Sequence, residues 1–375
     1  MANYAEKVRL DIERWVASGL VDRATGDRLA IEIVKTAPRA FTFGSVLAAM
    51  AAILLGASVL VFIAANWEAI PRIVRVLALF ALIFGSYVGG ALLKERGSGF
   101  GEALYLLGAV AFGGSIALIG QMYHLSGDET EAILVWCIGT AVAAAGLRSP
   151  MLTNAAVLLA ITWLLMRTGD WGRSAGFPYF YLVLAAALWA ISYWTRSMAA
   201  RHILLLSISL YAVLFGFSFV FSDDFATFGV VGAALAILAT IVFFAAHNFP
   251  EDVERYAQLG GPAPAHSLIA FVVGIAMVQV KVYDQFGLML LATLVAFAGI
   301  VTALLLRGRQ SALMRWIAYA AFTVELAFLY FVTLGALIDT AALFLFSGLA
   351  LAGVAFFIMR LERRFGTRPV EGAAS

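Results

Sequence analysis

Two long apolar runs near the start of the chain decide the fold class. Residues 43–65 read FGSVLAAMAAILLGASVLVFIAA, and residues 71–93 read PRIVRVLALFALIFGSYVGGALL. Each run is long enough to cross a bilayer as a helix, which takes about 20 residues, and neither alternates as a membrane β-strand does. Hydrophobic residues make up 63% of the chain and charged residues 13%, whereas soluble domains hold about 45–50% and about 25%. The sequence therefore predicts an all-α, polytopic transmembrane helical bundle.

Apolar runs of this length recur through the chain and predict about twelve spans. Before the first of them, residues 1–40 place charged residues between apolar ones at helical spacing, which predicts a small helical hairpin with Asp22 as the N-cap of its second helix. The expected domains are this hairpin at 1–40 and a transmembrane domain at 41–375, with a sub-boundary near 247–265. The predicted spans are 43–65, 71–93, 101–123, 130–147, 150–166, 178–195, 202–222, 226–246, 266–281, 286–306, 315–337 and 340–359.

The distribution of basic residues predicts how the spans are threaded. Cytoplasmic segments of membrane proteins are enriched in Lys and Arg. With the N-terminus inside, the outer segments hold only five of the 25 Lys and Arg residues, and both chain ends are basic. Twelve spans place both ends in the cytoplasm. The five outer cations are Arg72, Arg75, Arg167, Arg173 and Lys281.

Two outer turns carry the first group of candidate site residues. The turn after the first span holds Asn66, Trp67 and Glu68, which either end a helix and anchor it at the interface or present acceptors at the mouth of a cavity. The turn after the third span holds Gln121, Tyr123, His124 and Asp128. Capping of the next helix accounts for Asp128. His124 beside carboxylates is suited to a proton or a metal ion, although snorkelling to the interface is the simpler explanation.

Glu325 is the second candidate, because it lies near the centre of the eleventh predicted span. A carboxylate there costs at least about 2.5 kcal/mol and is expected to face the bundle interior or a wet cavity. It is either a protonatable coupling group on a translocation path or a hydrogen-bonding acid that ties helices together. The polar residues of other spans that could contact it are Thr153, Asn154, Gln279 and Lys281.

Several motifs are absent from the sequence. It contains no Gly-x-x-x-x-Gly-Lys-Ser/Thr phosphate loop, no His-Glu-x-x-His and no paired cysteines. We therefore expect no cofactor and no metal site. The single Cys137 lies in an apolar run, and the net charge of +2 gives no indication of a nucleic-acid partner.

The outer turns resemble those of a known family. Ala64-Ala65-Asn66-Trp67-Glu68-x-Ile70-Pro71, followed by Gly120-Gln121-x-Tyr123-His124-x-x-Gly127-Asp128, is similar to the bacterial predicted membrane proteins of the domain of unknown function 2157 family. The resemblance extends over about residues 5–150 and takes in the N-terminal hairpin. It implies a bacterial multipass membrane protein and assigns no activity. We expect the protein to lie in the bacterial inner membrane.

Three classes of function follow from these features. The leading hypothesis is a secondary transporter or lipid-handling translocator, with the outer turns as its vestibule and Glu325 as a buried coupling group. Its ligand would be a small molecule, an ion or a lipid. The alternative is a sensor or assembly scaffold that binds a cytoplasmic protein through residues 1–40. A membrane-embedded enzyme acting at the outer turns has the least support, since no catalytic spacing is present.

Overall fold

The structure is a computed structural model of the chain. It describes residues 4–36, 47, 50–51, 54–58, 61–62, 65, 71–96, 99–123, 127–169, 176–220, 224–334, 345, 347–349, 351–353, 355–356 and 358–360. These residues form helices and turns, and no strand occurs among them. The helices are α1 Tyr4–Ala17, α2 Arg23–Thr36, α3 Arg72–Glu95, α4 Phe100–Met122, α5 Glu129–Leu147, α6 Pro150–Gly169, α7 Phe180–Trp194, α8 Met198–Val220, α9 Phe225–Asn248, α10 Pro250–Ala257, α11 Ala263–Lys281, α12 Phe286–Arg307 and α13 Ala312–Leu334.

Nine of these helices are long and apolar enough to cross a membrane: α3 to α6, α8, α9 and α11 to α13. Each lies within a few residues of a predicted span. The span predicted at 178–195 is the shorter helix α7. The runs at 43–65 and 340–359 are only partly described, so the count of about twelve spans stays a prediction. The all-helical membrane fold is confirmed.

Large apolar side chains are exposed along the span-length helices, among them Phe84, Val142 and Leu291. A soluble protein rarely exposes such continuous apolar surface. A bilayer accommodates it, because lipid tails are as apolar as these side chains. Exposure and helix length together identify hydrocarbon as the medium that surrounds these helices.

The chain divides into two compact units, residues 1–111 and 112–375. In the first unit, the α1 and α2 helices contact each other, and Gly26 of α2 lies against Val16 of α1. The backbone N–H of Thr25 donates to Asp22 Oδ2 at 3.1 Å, as expected for an N-cap. In the same unit, Lys94 Nζ lies 2.7 Å from Glu102 Oε1, which pairs the two charges where α3 ends and α4 begins.

The second unit contains two main groups of buried apolar side chains. One lies among α5 to α8 and includes Cys137, Leu164, Leu188 and Leu204. The other joins α9 with α11, α12 and α13, and its buried members are Phe243, Ala265, Leu268, Ile300, Ala303, Met314 and Ala318. Three members of the second group, Phe243, Leu268 and Ala303, also line a cavity described below.

Helices α9 and α11 form the most extensive helix pair, and glycine allows their close approach. A Cβ atom added to Gly232 of α9 would lie 2.7 Å from the carbonyl oxygen of Gly274 on α11. A Cβ added to Gly274 would lie 2.6 Å from the carbonyl oxygen of Gly232. The two backbones are therefore in direct contact, as small residues permit between membrane helices.

Replacing Gly232 by alanine should weaken this pair. We expect Gly232→Ala to lower the free energy of unfolding in detergent by about 1–3 kcal/mol, because the new methyl group meets backbone that cannot rotate away. The matched control is Gly85→Ala on α3, where an added Cβ has no atom within 4 Å. Equal stability of the two variants would contradict the close contact.

Candidate functional site

The outer-turn residues are only partly described by the structure. Asn66, Trp67, Glu68 and His124 lie outside the described residues. Gln121 and Tyr123 are exposed at the end of α4, and Asp128 is exposed before α5. An outer site formed by the two turns therefore stays a prediction.

Asp128 has a structural role in the described part of this turn. Its carboxylate accepts a hydrogen bond from the backbone N–H of Thr130 at 2.8 Å and is the N-cap of α5. Its Oδ2 also lies 3.3 Å from Arg167 Nη1, at the end of α6. The bonds from Thr130, with the nearby Arg167 charge, hold the pKa of Asp128 below its ordinary value. These contacts join α5 to α6 and account for the carboxylate without chemistry.

Glu325 is buried in α13, with 4% of its surface exposed. The Gln279 side-chain amide of α11 donates a hydrogen bond to Glu325 Oε1. The same amide nitrogen lies 3.1 Å from Thr293 Oγ1 of α12, and the Thr293 hydroxyl is also within hydrogen-bonding reach of Glu325. One polar cluster of Glu325, Gln279 and Thr293 thus connects α11, α12 and α13.

Of the four partners that the sequence left open, Gln279 contacts Glu325. The Thr153 hydroxyl donates to Thr195 at 2.8 Å and Asn154 accepts from Ser197 at 2.7 Å, both in the connection between α7 and α8. The Lys281 side chain lies against Gly229 of α9. Thr293 was missed by sequence analysis. A threonine within a span gives no signal, because its hydroxyl is ordinarily satisfied by its own helix.

The geometry favours a hydrogen-bonding role for Glu325. Its partners are a neutral amide and a neutral hydroxyl, and they come from two neighbouring helices. A group that ties three helices together in hydrocarbon needs such partners, since an unpaired polar atom there is costly.

Two cavities lie between α9 and α12 and against α11. One has a volume of about 310 Å³ and the other about 460 Å³. Both are lined by Thr240, Phe271 and Val295, so they are neighbouring sections of one groove. We call this the α9–α12 groove. Val278 and Ala292, each next in sequence to a member of the polar cluster, line its wider section.

The α9–α12 groove is apolar. None of the described residues that line it is charged, and hydroxyl groups enter only at Thr240, Ser267 and Thr302. The Thr240 hydroxyl donates to its own helix at Ala236 at 2.8 Å, and that of Ser267 donates to Ala263 at 2.9 Å. Leu291 and Ile241 on the walls are exposed, so the groove opens toward the surrounding hydrocarbon.

No metal centre forms in the part of the chain that the structure describes. There, His, Cys, Asp and Glu side chains do not come together in any group of three or more that could hold an ion.

The polar cluster yields a prediction about Glu325. Replacing Glu325 by leucine removes the acceptor and leaves a buried amide N–H of Gln279 unpaired, which should cost about 1–3 kcal/mol of unfolding free energy. Replacing it by glutamine keeps a carbonyl acceptor and should leave stability near the wild-type value. Thr162→Ala on α6 is the control, because Thr162 is exposed and its hydroxyl donates only to its own helix, at Leu158. If Glu325→Gln destabilises the protein as much as Glu325→Leu, the hydrogen-bonding role is wrong.

Comparison with known proteins finds one match. Residues 13–153 match the family model described as "Predicted membrane protein (DUF2157)". No curated protein and no solved structure matches the chain. The matched range contains both outer-turn motifs, so the resemblance expected for about residues 5–150 is confirmed. The N-terminal part of the chain is thus similar to a family of predicted membrane proteins.

Proposed function

We propose that the protein is a lipid-handling membrane protein that holds an acyl chain in the α9–α12 groove. The observation that supports this proposal is the apolar lining of the groove together with its opening toward hydrocarbon. An ion or a polar solute would need charged or unsatisfied polar groups along its path. The lining favours a lipid chain over either of them.

A lipid chain also fits the energetics of a groove within a membrane. Apolar burial gives no driving force there, because the lipid tail is already in hydrocarbon. An empty groove would leave its walls without van der Waals partners. A flexible chain restores those contacts without any polar partner.

The length of the groove suits a whole acyl chain. Its lining on α12 runs from position 288 to position 303, which is about 22 Å of helix. One leaflet contributes about 15 Å of the hydrocarbon core. A groove parallel to the bilayer normal would therefore extend past the midplane.

In this proposal the polar cluster keeps the groove in shape. Gln279 and Thr293 are next in sequence to two groove-lining positions, 278 and 292. Glu325 bonds to Gln279 and lies within reach of Thr293, and it thereby holds α13 to α11 and α12. Proton coupling through Glu325 and an outer vestibule formed by the two turns remain further parts of the hypothesis.

We further propose a bacterial inner membrane with both chain ends in the cytoplasm, on the basis of the basic-residue distribution. Single cysteines can test this threading in a Cys137→Ala background, since Cys137 is buried. Tyr123 and Tyr256 are both exposed, on opposite predicted sides.

In intact cells, Tyr123→Cys should react with a membrane-impermeant maleimide, whereas Tyr256→Cys should react only after lysis. Both variants should be labelled equally in detergent, which controls for exposure. Labelling of Tyr256→Cys in intact cells would overturn the threading.

A single substitution can fill the groove and test its function. Ala298 lines the narrower section and is exposed to the groove space, so Ala298→Trp should occupy that space without entering a packed core. We expect this variant to lose, several-fold, the saturable crosslinking of a phospholipid that carries a diazirine in its acyl chain. The matched control is Ala187→Trp on the exposed face of α7.

The same variants separate binding from movement in vesicles. Because no charged residue among those described lines a path for the head group, a phospholipid labelled on its head group should become accessible to an external reductant no faster with wild-type protein than in protein-free vesicles. Faster exposure that Ala298→Trp slows would show that the protein also moves lipid. If Ala298→Trp and Ala187→Trp behave alike in both assays, the groove is passive, and a scaffold that binds a partner through α1 and α2 becomes the better account.

A further inference from the structure

Two histidines that lie far apart in the sequence contact each other from different span-length helices. His202 Nδ1 of α8 lies 2.9 Å from His266 Nε2 of α11. Both rings are half-buried. Neither histidine stands out in the sequence, because a single histidine near a helix start has no informative spacing.

The rings face each other edge to edge. Their centroids are 5.1 Å apart and their planes are inclined by 23°. The distance between the facing nitrogens and the distance from each nitrogen to its own ring centre add up to the separation of the centroids. Each facing nitrogen therefore lies close to the line that joins the two ring centres. This is the geometry of an N–H···N hydrogen bond. In a tetrahedral metal site, by contrast, the ion lies off the line between two ligand atoms.

Only one proton fits between the facing nitrogens. A neutral imidazole has one donor nitrogen and one acceptor nitrogen, whereas the charged form has two donors. If one ring donates, the other must accept. The outer nitrogen of His266, Nδ1, is buried, and no described residue gives it a hydrogen bond. The contact with His202 is therefore the hydrogen bond that fixes the His266 ring.

The charged neighbours of the pair come from two elements. Arg201, next to His202 on α8, and Glu254 of α10 both act electrostatically on His202. The Arg201 guanidinium is held by the carbonyl of Ala257 at 3.2 Å and by Gln258 Oε1 at 3.2 Å. The Glu254 carboxylate accepts from the backbone N–H of Gly260 and Gly261 at 2.6 and 3.1 Å.

The remaining neighbours add no charge at the pair. Tyr193, from the end of α7, faces the Arg201 guanidinium at 5.0 Å from its ring centroid, and its hydroxyl donates to the Tyr256 carbonyl of α10. On His266 the electrostatic influence within the described residues comes from His202 alone. Arg201 is itself a cation and cannot offset a second proton on the pair, and the Glu254 carboxylate is already bonded to the backbone of the α10–α11 connection.

We propose that His202 and His266 form a proton-binding site. It clasps α8 to α11 when a single proton lies between the two facing nitrogens, and it releases the two helices when both rings are charged and both facing nitrogens are protonated. In the released state two N–H groups and two positive charges face each other. Separated histidines take up protons below about pH 6.5. The released state therefore binds more protons than the clasped state in this range, and acid favours release.

Thermal unfolding of the full chain in lipid nanodiscs tests the clasp. The Tm of the wild type should fall when the pH is lowered from about 7.5 to about 5.5, two values on either side of the ordinary histidine pKa. His202→Gln and His266→Gln should each remove this fall, since glutamine keeps a hydrogen-bonding group that does not titrate. The double variant should remove no more than either single variant does. His247→Gln on α9 is the control and should keep the fall.

Two outcomes would overturn the clasp. One is an acid-induced fall in Tm that survives both single variants or disappears in His247→Gln. The other is a rise in the wild-type Tm on adding Zn²⁺ at about pH 7.5 that either single variant abolishes, which would assign the pair to a metal ion.

Nuclear magnetic resonance tests the unsubstituted protein, in case the variants do not fold. The chain has only four histidines, so selective ¹⁵N-histidine labelling gives few ring signals. At neutral pH, one ring proton should show coupling to nitrogens of two rings across the hydrogen bond. This coupling should vanish as the sample is acidified. Four independent rings at neutral pH would contradict the shared proton.

Discussion

Hydrocarbon offers no hydrogen-bond partner, so each polar atom that enters it has to be satisfied within the protein. The backbone meets this constraint by forming helices. Short hydroxyl side chains meet it by bonding to their own helix, as Ser86 does to Leu82 at 2.6 Å and Thr323 does to Tyr319 at 2.8 Å. Glu325 takes its partners from other helices, and the constraint on one side chain therefore ties three helices together.

The groove follows from a different property of the membrane. Helices in lipid associate through close packing, because no hydrophobic force draws them together. Helix α9 packs on α11 where Gly232 and Gly274 bring the backbones into contact, and α12 packs on another part of α11. Two helices that share one neighbour leave a space between them. In water an apolar space of this kind would tend to close, whereas in a bilayer a lipid chain can fill it.

The sequence predicted what depends on composition and local chemistry. Apolar run length located nine spans within a few residues, and residue type identified the Asp22 and Asp128 caps. It also placed Gln279 among the candidate partners of Glu325. It could not predict Thr293, the groove or the His202–His266 contact, because each depends on which faces of distant helices meet. Crossing geometry of this kind leaves no trace in the composition of any one span.

Helix α11 is where these features meet, and its contacts differ in kind. It packs against α8, α9, α10, α12 and α13. The contacts with α8, α12 and α13 include side-chain hydrogen bonds at His266 and Gln279, which are directional and are lost when a helix shifts. At Gly232 and Gly274, by contrast, α9 presents smooth backbone to α11. A sliding movement there breaks no side-chain bond of the glycines. The two groove walls are tied to each other at one end, however, where Arg307 Nη2 of α12 donates to the carbonyl oxygens of Ala246 and His247 of α9 at 2.7 and 3.1 Å. Any widening of the groove is therefore restricted at that end.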